Sequence, residues 1–219
     1  MSTFVEKGSL WIHDDKEPRA PHALLTGGLH SNGFFNSRLI IPDQLLMHQT
    51  ASDLADLLEE SPTGKDALLQ VTSFVGPQTG ATRLSEVLAG EIQHRYGRPC
   101  SHASPRKEGE GTERRMVFDD PNALSSGDKV ILCEDVVTTG GSAELTARAV
   151  CETGAEILPY LLCLVNRSNL VVLMGKKIVP LIHRQMPRWV LEECPYCLKG
   201  SKAIPAKDPE NWARLTAVA

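Results

Sequence analysis

The chain alternates strand-length apolar runs with helix-length amphipathic segments, and this alternation limits its fold more than any other feature. Residues 67–75 (ALLQVTSFV), 129–133 (KVILC), 156–165 (EILPYLLCLV) and 177–183 read as strands, with 100–104 a shorter candidate. Asp43 can cap a helix running to about Glu60, with Met47, Ala51, Leu54 and Leu58 on one face and Ser61-Pro62 as its stop. A second helix carries Leu84, Val87, Leu88 and Ile92 on one stripe and is closed by Gly97 and Pro99. A third spans about 142–153, with Leu145, Ala149 and Val150 inward and Gly154 after it. Strands alternating with helices of this length build βαβ units, so the expected class is α/β with a mostly parallel sheet flanked by helices. Ligands bind such sheets at the carboxyl ends of the strands. The loops after Val75, Ser104, Cys133 and Val165 are therefore the places to look for chemistry.

Composition sets the boundaries. A chain of 219 residues with 42% apolar content can bury one sizeable core. The net charge of −4 offers no broad basic surface for a nucleic-acid polymer. No apolar run approaches the roughly 20 residues of a membrane helix. The first 20 residues carry charges throughout, unlike a secretory signal, so a cytoplasmic protein is expected. Cys133, Cys151 and Cys163 sit singly in apolar segments, where cysteine acts as a small hydrophobe. Residues 105–112 (PRKEGEGT) can bury little apolar area and read as a mobile loop.

The densest chemistry lies in 130–142. An apolar strand runs into Glu134-Asp135, then into Thr138, Thr139, Gly140, Gly141 and Ser142, directly before a helix. Glycines let backbone approach an anion, helix-start N–H groups point at it, and the hydroxyls add donors. No lysine follows the glycines, so this is not a Walker-type loop. Two carboxylates beside such a cradle can grip sugar hydroxyls or hold a divalent cation that bridges further phosphate oxygens. The plainer alternative is a capped βα turn with solvated acids.

This run resembles the phosphoribosyl-pyrophosphate (PRPP) motif of the type I phosphoribosyltransferases. The resemblance implies that fold, with a small hood from the N-terminal segment. It makes Glu134 and Asp135 the ribose-binding pair, with Mg²⁺ held through PRPP near Asp135, and 138–142 the 5′-phosphate loop. Three further stretches resemble the orotate phosphoribosyltransferases. Ser31-Asn32-Gly33-Phe34-Phe35-Asn36 matches their N-terminal signature and implies that Phe34 and Phe35 lie over the base. Gly76-Pro77-Gln78-Thr79-Gly80 stands where their pyrophosphate loop stands. Arg167, in Asn166-Arg167-Ser168, takes the place of the arginine that grips the orotate carboxylate, a bidentate task suited to guanidinium, with Thr138 also bordering the base. Arg106 and Lys107 would close over PRPP as catalytic loop residues, with Arg114 and Arg115 as further positive charge.

The chain departs from the best-known orotate enzymes in having Thr26 before the Ser-Gly turn, no lysine in 76–80, and neither lysine nor histidine directly after Arg106-Lys107-Glu108. It is similar in these departures to a subgroup with a Gly-Leu-His-Ser turn (28–31), a short glycine-rich loop before paired arginines (108–115) and a Cys-Pro-x-Cys tail (194–197). The implied function is transfer of phosphoribosyl from PRPP to orotate, yielding orotidine 5′-monophosphate and pyrophosphate, by a homodimer. The alternatives are a phosphoribosyltransferase for another nucleobase, or a PRPP-binding regulator without catalysis. The expected division is a hood over 1–39, a PRPP-binding core over 40–168 and a C-terminal strand with the cysteine tail over 169–219. Cys194-Pro-Tyr-Cys197 is half of a zinc-knuckle spacing, which Cys100 with His102, or His183, completes only if folding brings them near. Otherwise it is a turn with free thiols or a disulfide.

Overall fold

The computed structural model of the protein describes residues 4 and 6–217. The chain forms two compact units, Ile41–His183 and Met1–Ile40 with Arg184–Ala219. The stretch 169–219, taken from sequence as one piece, is thus divided at His183.

The larger unit is built on a six-stranded sheet. Its strands run in the order Val172–Leu173, Lys176–His183, Glu156–Asn166, Lys129–Val137, Ser73–Val75, Ser101–Ala103. All neighbours are parallel except the first pair, which is a hairpin. The α/β expectation is met. The two long central strands are buried almost along their whole length, as parallel strands covered on both faces must be. Val130, Leu132, Leu161 and Cys163 pack with Ala143, Ala147 and Val150 of the helix Gly141–Glu152. Burying each valine or leucine of this set contributes about 1.5–3 kcal/mol.

The helix Gln44–Glu59 starts where expected, because the Asp43 carboxylate accepts the Leu46 N–H at 3.1 Å. Its Met47, Ala51, Leu54 and Leu58 face inward. The helix Thr82–Tyr96 buries Leu84, Val87, Leu88 and Ile92, and Gly97 stops it in the left-handed region at φ 61°. Two segments differ from expectation. The run 67–75 is not one strand: Gly64–Gln70 is a helix, and the strand begins only at Ser73. Ala67 and Leu68 are buried while Leu69 is 49% exposed, a helical rather than an alternating burial pattern. That helix begins against the end of the previous one, where a Cβ on Gly64 would lie 1.7 Å from the Leu58 carbonyl oxygen. The second segment is 105–112. Instead of a structureless loop, Arg106–Glu108 pairs antiparallel with Arg115–Val117.

The smaller unit is held by pairing between the two ends of the chain. Ala203–Pro205 lies parallel to His22–Leu24, which pairs with His30–Ser31, which pairs with Arg188–Trp189. Leu10–Ile12 pairs antiparallel with Gly33–Phe35. The last helix, Pro209–Thr216, is capped by Asp208 and packs Trp212 and Leu215 with Trp11, Ala23, Ile204 and Ala206. Among the described residues no helix is long and apolar enough to cross a membrane.

Candidate active site

The strand Lys129–Val137 runs further than its apolar start suggests, so Glu134 and Asp135 lie within it. Its neighbour Glu156–Asn166 puts Cys163 beside Glu134 and Asn166 beside Val137. Burial makes Glu134 costly to ionise. The side chain is 7% exposed, and desolvation, followed by the adjacent Asp135 charge, holds its carboxyl well above the usual range. The Lys107 ammonium pulls in the opposite direction. One Asp135 oxygen accepts the Val136 N–H at 2.9 Å. The buried Cys133 and Cys163 thiols are pushed up by desolvation, which keeps them inert hydrophobes in the sheet.

Three residues, Thr138–Gly140, turn the chain from strand to helix. Gly140 precedes the helix at φ 86°, and a Cβ there would meet the Leu173 side chain at 2.5 Å. The position therefore needs glycine for both backbone and space. No side chain caps this helix start. Its first N–H groups are open at this turn, beside the half-buried Thr138 and Ser142 and the exposed Thr139.

The loop after Val75 meets the acidic pair. A Cβ on Gly80 would lie 2.6 Å from both Cγ and one oxygen of Asp135, so the Gly80 backbone rests directly on that carboxylate. The loop is anchored from below: the Gly76 N–H donates to Ala103 O at 3.2 Å and the Gln78 N–H to Pro105 O at 2.9 Å. Pro77 is buried, while Gln78 and Thr79 are exposed. Gln78 also donates from its side chain to Ser104 O at 2.9 Å.

Arg167 sits at the end of the neighbouring strand. Its backbone N–H donates to Val137 O at 3.1 Å, which sets it beside the start of the Thr138–Gly140 turn. At 7% exposure it is not the solvated surface arginine that a strand end would ordinarily carry. The loop behind it is braced by Asn166, whose side chain donates to Leu170 O and accepts from Ser168.

The hairpin basic residues divide by partner. Arg106 bonds Asp119 at 2.6 Å and Glu108 at 3.3 Å, and Arg115 bonds Glu108 at 2.6 Å. Lys107 is exposed and carries the charge that acts on Glu134. The larger unit thus brings together 76–80, the 106–117 hairpin, Glu134, Asp135, 138–142 and Arg167. Phe34 and Phe35 belong to the smaller unit: Phe35 is buried with its ring 6.0 Å from Phe4, and Phe34 stands edge-on to Trp212 at 5.6 Å.

Cys194 and Cys197 are also in the smaller unit, and their neighbours are not those considered from sequence. His22 and His30 face them, the four ligand atoms lying within 4.8 Å of one another. Cys100, His102 and His183 lie in the larger unit, and His183 bonds Ser168 O at 3.0 Å. His22 and His30 were invisible to spacing because more than 160 residues separate them from the cysteines.

A mostly parallel sheet flanked by helices, whose central strand carries paired acids towards an uncapped, glycine-led helix start, has the type I phosphoribosyltransferase fold. Solved structures agree. The orotate phosphoribosyltransferase from Aeropyrum pernix superimposes with a TM-score of 0.53 at 20% identity, covering 83% of this chain and 92% of that one. A phosphoribosyltransferase from Corynebacterium diphtheriae gives 0.54 at 20% identity, covering 84% and 96%. In sequence, the chain is 30% identical over 188 residues to the orotate phosphoribosyltransferase of Thermotoga maritima, 86% of this chain and 89% of that protein. It is also 30% identical over 183 residues to that of Pelotomaculum thermopropionicum, covering 84% and 86%. No family model matches the sequence. The chain belongs to the orotate phosphoribosyltransferase family.

Proposed function

We propose that the protein transfers the phosphoribosyl group of PRPP to orotate, giving orotidine 5′-monophosphate and pyrophosphate. The observation that carries this reading is the meeting of three loops at one edge of the sheet: Gly80 against the Asp135 carboxylate, and Arg167 hydrogen-bonded at Val137 just before the Thr138–Gly140 turn. The reaction breaks the bond from ribose C1 to pyrophosphate and forms one from C1 to a ring nitrogen, through a transition state in which positive charge spreads over the ribose. Such a site has to orient two reactants, stabilise charge and exclude water rather than supply a nucleophile.

In this reading 138–142 hold the 5′-phosphate on backbone N–H groups and hydroxyls. Glu134 and Asp135 orient the ribose hydroxyls. Residues 76–80 cradle pyrophosphate, and Lys107 brings positive charge to it from the hairpin, where Arg106 is paired with Asp119 and Glu108. Arg167 grips the orotate carboxylate, with Thr138 beside the base. The hard oxygens of the half-buried Asp135 carboxylate fit Mg²⁺ held through PRPP, which supplies neutralisation of phosphate charge when bound. The family resemblance carries with it a homodimer and a cytoplasmic setting. The turn at 28–31, the hairpin at 108–115 and the Cys-Pro-x-Cys tail support the subgroup assignment.

The test is orotate consumption with PRPP and Mg²⁺, with uracil, adenine, guanine and hypoxanthine in parallel, for the native protein and Asp135→Asn. Turnover of orotate alone, reduced by about 10²-fold or more in the variant, is expected. Turnover of a different base would reassign the substrate, and PRPP binding without turnover of any base would make the protein a regulator.

A further inference from the structure

We propose that His22 Nε2, His30 Nδ1, Cys194 Sγ and Cys197 Sγ form a tetrahedral zinc site that fastens the N-terminal segment to the C-terminal tail. The distances carry the proposal. Cys194 Sγ lies 3.4 Å from His22 Nε2, Cys197 Sγ lies 3.5 Å from His22 Nε2 and 3.3 Å from His30 Nδ1, and the two ring nitrogens are 3.0 Å apart. A zinc tetrahedron with ordinary bond lengths has S···N edges of about 3.5 Å and N···N edges of about 3.3 Å. Four of the six edges are close to such a figure, and all four donors lie within 4.8 Å of one another.

The surroundings prepare the donors for a metal. Ser201 Oγ donates its proton to Ala20 O at 2.5 Å, so towards His22 Nδ1, at 2.7 Å, it can only accept. That bond places the His22 proton on Nδ1 and leaves the Nε2 lone pair facing the cluster, the outer-shell arrangement that fixes a ligating histidine. His22 and Cys194 are fully buried and His30 is 6% exposed. Tyr196, between the cysteines, covers the His22 ring at 5.6 Å and is itself flanked by His13 and Trp189.

The backbone bends the cysteine loop into a compact knuckle. The Leu198 N–H donates to Cys194 O at 3.2 Å, and Gly200 closes the turn at φ 84°. Two sulfur and two imidazole donors select zinc over the hard cations that PRPP chemistry uses. On binding, both thiols release their protons to solvent and His30 carries its proton on Nε2. Zn²⁺ with two thiolates and two neutral rings has no net charge, which suits a buried site.

This inference rests on no part of the transfer reaction, and its test does not read activity. Untagged full-length protein, purified in reducing buffer without chelator, should contain about one zinc per chain by mass spectrometry. Protein stripped with EDTA and reloaded with Co²⁺ should show the intense visible absorption of tetrahedral cobalt bound to thiolate. His30→Gln and Cys197→Ser should each lose the metal, while Cys151→Ser, outside the cluster, should keep it. A native protein that neither retains zinc nor takes up Zn²⁺ or Co²⁺ after reduction overturns the proposal, whether or not the variants fold. So does a Cys194–Cys197 disulfide in protein isolated with its thiols trapped, or zinc content unchanged in both cluster variants.

Discussion

Glu134 is a carboxyl placed where ionisation is expensive, and its neighbour Asp135 raises the cost. Its proton is retained in the folded protein at pH values where the unfolded chain has already released it, since burial holds its pKa well above the ordinary carboxyl value of 4.5. Above about pH 4.5 the native state therefore binds more protons than the unfolded state, and stability falls with rising pH until the native carboxyl itself ionises. Glutamine imitates the protonated form and escapes this loss. Glu134→Gln should match the native protein in melting temperature near pH 4.5 and exceed it at pH 8, by about 2–4 °C for each kcal/mol relieved. It should also weaken PRPP binding, as expected where a functional site stores instability. Melting curves at the two pH values decide it, and an equal gap at both would remove Glu134 as the source. The acids were legible in the sequence because a strand running into paired carboxylates has few other uses. Gly80 was legible only by order along the chain; its contact with Asp135 depends on how two parallel strands align, which no local pattern encodes.

The Arg106–Val117 hairpin shows what local reading misses at the scale of an element. Its sequence is polar and glycine-rich, so apolar periodicity gives no strand signal. One residue supplies the anchor: Met116, opposite Lys107, is 3% exposed, while Glu108 bonds Arg115 across the strands and Arg106 bonds Asp119 just beyond them. Composition identifies a segment poor in apolar side chains, but cross-strand ion pairs and a single buried methionine are enough to order it. The same pairing sorts the basic residues. Arg106 and Arg115 are occupied by acids of the hairpin and its flank, whereas the Lys107 charge acts on Glu134. Lys107→Ala should cut kcat/KM for PRPP by about 10²-fold, as loss of a charge-stabilising donor does. Arg115→Ala removes an exposed ion pair, worth about 0.2–1 kcal/mol, and should leave kcat/KM within about 3-fold. Steady-state kinetics of the two variants side by side make the comparison, and equal losses would mean that the hairpin acts through its fold rather than through Lys107.

For the whole molecule, the central sheet could be read from the sequence and the smaller unit could not. The helices and strands of 43–183 follow one another with short connections, so each pattern predicts its own neighbour. The smaller unit is made instead from segments some 160–180 residues apart. Ala203–Pro205 pairs with His22–Leu24, Arg188–Trp189 with His30–Ser31, and Ile204, Trp212 and Leu215 pack with Trp11 and Ala23. Taken alone, the tail shows a CxxC and a polar helix, and the first 40 residues show short strands without a face to cover. Only together do they bury Ala23 and Cys194 completely. A chain ending at His183 should therefore lose order in 10–35 while keeping its central sheet. Hydrogen exchange should find the amides of 22–24 and 30–31 unprotected in the truncated chain and protected in the native one, while 130–133 and 161–165 exchange slowly in both. Protection at 22–31 that survives truncation would show that the N-terminal segment is ordered without the tail. Collapse of protection at 130–133 as well would show that the central sheet cannot fold without it.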